Sequence, residues 1–160
     1  MSVRPTIPPA PHTGGCLCGA VRYRVDVRPR AVNGCHCTDC KRVSGGTHAV
    51  FLHVERATLT LEQGELARFR KTADSGRQLD IARCAQCGTR LWHEPLAAPT
   101  LMFVAAGTLD DPSWAIPTSH IWTSRIAPGV TLEADALVYA DAPPDRRALG
   151  VPFAGISGAS

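Results

Sequence analysis

No stretch of this sequence carries the ~20 consecutive apolar residues that a membrane-spanning helix needs; runs such as residues 101–106 stop far short. The opening residues also lack the apolar centre of a secretory signal, so the expectation is a soluble, cytoplasmic protein with no membrane partner. Heptads and longer internal repeats are missing, which excludes coiled coils and solenoids. Basic residues do not cluster: residues 1–15 contain only Arg4, and 17 Lys and Arg are dispersed among 14 Asp and Glu. The basic arm that nucleic-acid or cytoskeletal binding would use is therefore absent, and no nucleic-acid partner is expected. Charged residues make up only 19%, yet 44% of the chain is hydrophobic, which rules out disorder throughout. The 160 residues leave room for one core. What the chain has in quantity is turn formers and thiols, with 14 Gly, 13 Pro and 7 Cys.

Proline marks the ends. Pro5, Pro8, Pro9 and Pro11 crowd the start, and Pro143, Pro144 and Pro152 lie in a small-residue tail. This composition predicts flexible segments at 1–13 and 141–160 around a folded unit at 14–140. Within that unit Val21, Tyr23, Val25 and Val27 alternate with Arg22, Arg24, Asp26 and Arg28, the period-2 pattern of a strand with one face in water. Further strands are expected at 47–54, 58–61, 66–70, 78–83, 101–106 and 120–123. Helical signal is confined to 38–44, opening at Thr38 and stopping at Gly45 and Gly46. The chain reads as mostly β, with its sites in loops and strand ends.

The cysteines fall in three groups: Cys16 with Cys18, then Cys35, Cys37 and Cys40, then Cys84 with Cys87. Disulfides fit poorly, because the count is odd and C-x-C or C-x-x-C rings are strained when oxidised. Metal fits better, since a turn aims two thiolates at one ion and tetrahedral zinc needs a second pair from elsewhere. Cys18 precedes Gly19 and Cys87 precedes Gly88, so the outer groups share a glycine suited to a tight turn. Cys16, Cys18, Cys84 and Cys87 together would make a closed, structural zinc site. A redox C-x-x-C at Cys84 and Cys87 is the weaker alternative, lacking a βαβ context. The middle group has three thiolates and no fourth cysteine, and three protein ligands with one exchangeable position is how catalytic zinc is arranged. A histidine in the fourth place, from His36, His48, His93 or His120, or an iron–sulfur cluster with an outside ligand, remains an alternative. His36 lies between two of these cysteines in an extended segment, so its ring should point away from them.

Three stretches carry a family resemblance. Gly14-Gly15-Cys16-Leu17-Cys18-Gly19-Ala20-Val21-Arg22-Tyr23, then Cys35-His36-Cys37-Thr38-Asp39-Cys40-Lys41-Arg42 with Ser44-Gly45-Gly46, then Cys84-Ala85-Gln86-Cys87-Gly88-Thr89 resemble the glutathione-dependent formaldehyde-activating enzyme family, which also contains the centromere protein V domain. The likeness runs from about Gly14 to Leu132 and includes a late Ile121-Trp122-Thr123-Ser124-Arg125 motif. It implies a β-tent fold of small twisted antiparallel sheets around a structural zinc site, with minimal helix, as in Rab-binding zinc proteins and methionine sulfoxide reductases. It also implies two zinc ions per chain, structural at Cys16, Cys18, Cys84 and Cys87 and catalytic at Cys35, Cys37 and Cys40. The implied activity is that of a carbon–sulfur lyase joining glutathione to formaldehyde as S-(hydroxymethyl)glutathione. The chain departs from the family pattern at Arg83, often aromatic, and at Gly129, which follows Ala127-Pro128 where tryptophan is common.

On this reading the partners are a small thiol and a small aldehyde, and a homodimer is left open. The thiol would enter the fourth position of the three-thiolate zinc and lose its proton there; three thiolates donate so much charge that such a site suits thiol binding better than water activation. Candidate substrate contacts are Arg42, Ser44, Gly45, Trp122 and Arg125. Lys41 and Arg42 would offset thiolate charge, and His48 or a water is the nominee for acid–base work. The competing class is a zinc-stabilised binding module of the same fold without catalysis. The formal charge of +3 gives no reason to expect a polyanion, because ionising seven thiols and binding two divalent ions cancels it.

Overall fold

The structure is a computed structural model that describes residues 4–158; residues 1–3 and 159–160, part of the two expected flexible ends, lie outside the described residues. Two sheets build the protein. The smaller has the order β1-β2-β5, from β1 (His12–Gly15), β2 (Arg22–Val25) and β5 (Leu59–Gln63). The larger also draws on β3 (Ala31–Cys35), β4 (Ala49–Glu55), β6 (Leu66–Thr72), β7 (Gln78–Cys84), β8 (Arg90–Pro95), β9 (Leu101–Ala105), β10 (Ser119–Ile121) and β11 (Leu137–Val138). Its eight strands run in the order β11-β10-β3-β4-β9-β8-β7-β6. Pairing is antiparallel except where β10 lies parallel to both β3 and β11. The only helices among the described residues are α1 (Thr38–Ser44), α2 (Val151–Ala154) and short 3-10 turns. The mostly β expectation holds, although one sheet is large rather than small.

Strand pleat decides what faces what. Val21, just before β2, and Tyr23 and Val25 within it are fully buried against Val32, Leu52, Val54 and Val104 of the large sheet, and this is the main core. On the opposite face of the same strands, Ala31, Cys35 and Phe51 belong to a second cluster with Cys40, Ile121 and Leu149. β3 is thus buried on both faces, and its sequence AVNGC shows no alternation to betray it. β8 was likewise not legible as a strand, being short and rich in polar residues.

Residues at both described ends pack on the sheets. Ile7 is 1% exposed and bridges to Gly158, while Leu149 and Phe153 are 0% and 1% exposed. Arg28 donates to the Phe153 and Ile156 carbonyls at 2.9 and 2.7 Å. Apolar residues among the prolines supply the contact at both described ends. No helix among the described residues is long and apolar enough to cross a membrane.

Candidate metal centre and its cavity

Cys16 and Cys18 sit in the turn after β1, Cys84 ends β7, and Cys87 lies in the turn to β8. In each turn a glycine takes a left-handed conformation, Gly19 at φ +80° and Gly88 at φ +74°. Their N–H groups donate to the carbonyls of Cys16 and Cys84 at 3.1 and 3.0 Å, closing a three-residue span in the first turn and a four-residue span in the second. The four sulfurs all lie within 4.8 Å of one another. Backbone N–H groups point at them, Val21 to Cys16 Sγ at 3.2 Å and Gln86 to Cys84 Sγ at 3.4 Å. The Thr89 hydroxyl and N–H pull the Cys87 thiol down to about 5. Four soft donors in a closed group with N–H support fit a structural zinc.

The second group gathers Cys35 at the end of β3, Cys37 and Cys40, with sulfurs again within 4.8 Å. Cys37 is the N-cap of α1, its Sγ accepting the Cys40 N–H at 3.3 Å, so a thiol of the cysteine group takes the capping place expected of Thr38. Gly45 closes the helix in a left-handed conformation, as its sequence signal predicts. The sulfurs are close enough to oppose joint ionisation: Cys37 pushes Cys35 up to about 12, while Cys35 and Cys40 pull Cys37 down to about 2. A divalent cation relieves that conflict. Among the described residues no histidine or carboxylate joins the group. Its donor set fits zinc with one position left open.

This trio forms one wall of a cavity of about 560 Å³. The register of the large sheet lays the floor: His53 of β4 pairs with Phe103 of β9, which pairs with His93 of β8. All three side chains lie on the face opposite the main core and line the cavity, with Phe51 beside them. Burial holds His53 and His93 neutral, each down to about 3. His53 bonds Asn33 Oδ1 at 2.5 Å, whereas His93 Nε2 is buried without a protein partner. Behind the trio, Arg90 stacks on Phe51 at 4.9 Å and faces the charges of Cys40 and Cys35.

A profile of the family described as glutathione-dependent formaldehyde-activating enzyme matches residues 11–125. The chain belongs to that family. A curated Halomonas elongata protein, assigned provisionally as a glutathione-dependent formaldehyde-activating enzyme, is 31% identical over 101 residues, covering 61% of this chain and 64% of the relative. A crystal structure of a Rhodobacter sphaeroides protein covers 79% of this chain and 98% of its own, at 18% identity and a TM-score of 0.48.

Of the residues proposed from sequence to touch substrate, Trp122 and Arg125 line the cavity. Trp122 is a non-glycine residue at φ +59°, a strained conformation held by its N–H on the Asp141 carbonyl at 3.1 Å. Arg125 stacks on Trp122 at 5.1 Å and bonds Asp74 at 2.8 Å. Arg42, Ser44 and Gly45 are exposed and outside the lining. Ser44 Oγ instead bonds the carbonyls of Lys41 and His48, closing the helix. Lys41 ties α1 to the Arg125 carbonyl at 2.8 Å. His48 lies away from the cavity, stacked on His36, whose ring turns from the sulfurs as alternation predicts. Neither Arg83 nor Gly129 reaches the cavity. Sequence reasoning missed His53, Arg77 and Arg146, and named His93 only as a possible fourth ligand, whereas it lines the cavity; the polar His53 within an otherwise apolar strand was the only signal for the others.

Proposed function

We propose that this protein joins a thiol such as glutathione to a small aldehyde such as formaldehyde, or cleaves that carbon–sulfur bond in reverse. The reaction is placed at a zinc ion on Cys35, Cys37 and Cys40, with a second, structural zinc on Cys16, Cys18, Cys84 and Cys87. The observation that carries the reading is a three-sulfur group, completed by no fourth side chain of the described residues, at the wall of a cavity sized for a small ligand. Membership of the family supports the same chemistry.

Cys35, Cys37 and Cys40 would hold the zinc, which would take up a thiol sulfur and lower the pKa of that thiol from its ordinary ~8.5. The chain's own residues do the rest. Trp122, Phe51 and Phe103 exclude water, and Arg125 is fixed by Asp74 at the rim. Neutral His93 offers its unpartnered Nε2 to the aldehyde-derived oxygen. As the C–S bond forms, the thiol proton ends on the former carbonyl oxygen, so the addition balances. A reducing compartment keeps thiolate sites of this kind intact, which supports a cytoplasmic location.

The test is to titrate the cobalt-substituted protein with glutathione while following exchange between formaldehyde and its glutathione adduct by NMR. A thiol-dependent shift of the cobalt spectrum with faster exchange is expected. A spectrum indifferent to every thiol would sink the enzyme reading and leave a zinc-stabilised binding module.

A further inference from the structure

Most arginines of this protein are matched to a carboxylate. Arg22 bonds Asp110, Arg30 bonds Glu55, and Arg70 bonds Asp80. The cavity breaks this pattern. Its acidic lining residues are already engaged: Asp74 by Arg125 at 2.8 Å, Asp39 by Lys71 at 3.6 Å, and Asp141 by the Ser124 hydroxyl at 3.2 Å. Two lining arginines, Arg77 and Arg146, both exposed, make no hydrogen bond or ion pair through their guanidinium groups among the described residues.

These two come from distant parts of the chain. Arg77 sits in the turn between β6 and β7, and Arg146 opens the 3-10 turn Arg146–Gly150. Arg146 lies over the Phe103 ring at 5.4 Å, within electrostatic reach of Arg77, Cys35 and the neutral His53. Partial desolvation by its neighbours, then Arg77, lowers its guanidinium from the usual arginine range, while both arginines keep exposure to solvent. Two like charges turned toward one cavity repel each other, and an anion between them removes that cost. A guanidinium also presents a planar fork that a carboxylate matches and a neutral group does not.

We propose that Arg77 and Arg146 form a carboxylate clamp in the cavity, selecting acidic thiols over neutral ones for the three-cysteine site. The proposal rests on the reading that a thiol binds there. Arg146 stands beyond residue 125, where the family match ends, so this chain's own C-terminal segment supplies half of the clamp. Leu149 and Phe153, buried just after it, hold that segment down.

The test titrates the zinc-loaded protein by calorimetry with 3-mercaptopropionate, its methyl ester, and succinate, which has no thiol. The wild type should bind the acid ~10-fold to 100-fold more tightly than the ester. In Arg77→Gln/Arg146→Gln the acid should fall to the level of the ester, and Arg146→Lys should fall between. Equal affinities in the wild type, or a preference that survives the double substitution with fold and zinc content intact, would overturn the clamp. Failure of the underlying reading looks different. A cobalt spectrum blind to both thiols, with succinate still bound in an arginine-dependent way, removes the thiol chemistry and leaves the clamp standing.

Discussion

His36 Nε2 lies 2.9 Å from His120 Nδ1, joining the loop between two clustered cysteines to the strand beside Cys35. His120 continues to Glu133 at 2.5 Å, and His48 stacks on His36 with ring centroids 4.7 Å apart. This buried chain braces the Cys35-His36-Cys37 turn from the side opposite the sulfurs.

Gly34 makes room for the brace. It pairs with His120 across β3 and β10, and a Cβ at position 34 would overlap the His120 ring. Gly34→Ala should therefore destabilise the protein by about 1–3 kcal/mol, the usual cost of overpacking, and weaken metal binding at the trio. Urea denaturation combined with zinc stoichiometry checks both; wild-type values for both would remove the bracing role.

The two cysteine groups should respond differently to loss of a ligand. Zinc content is expected to drop from two ions to about one in Cys37→Ser, with the fold retained. Cys84→Ser should compromise folding itself, because zinc-dependent folds draw on the order of 10 kcal/mol from the metal. Circular dichroism of both variants separates the roles, and global unfolding of Cys37→Ser would make the trio structural as well.

The C-terminal segment is predicted to contribute to stability. Phe153 is 1% exposed and stacks under Arg28 at 5.1 Å. Phe153→Ala should cost about 3–5 kcal/mol in equilibrium unfolding. A change within about 0.5 kcal/mol, typical of surface positions, would mean that this segment does not pack.

Acid should weaken the fold through its buried histidines. The unfolded chain takes up a proton at His53 near the ordinary 6.5, whereas burial delays this in the folded protein to about 3. The stability is therefore complete above pH 6.5 and is lost as pH falls toward 3. His53→Gln should flatten the decline by up to about 1.4 kcal/mol per pH unit. Denaturation curves at pH 7 and pH 5 measure it, and parallel slopes for variant and wild type would contradict the assignment.

Local features were legible from sequence. The alternation around Tyr23 marked β2, and the helix expected at 38–44 appears as α1 (Thr38–Ser44). The division of cysteines into four and three followed from spacing within turns and recurs in the structure. Strands β3 and β8 escaped because burial on both faces, or a polar run, erases period 2. The packed ends escaped because proline-rich composition does not report which sheet surface awaits Ile7 or Phe153.

The sequence by itself determined the two cysteine groups and the mostly β character, because turn closure, capping and strand alternation act between residues a few positions apart. Only the tertiary structure decided what the three-cysteine group faces. Strand register alone set His53, Phe103 and His93 in one row, and chain-end packing alone brought Arg146 to Arg77. Those contacts join residues far apart in the chain, and no local preference encodes them.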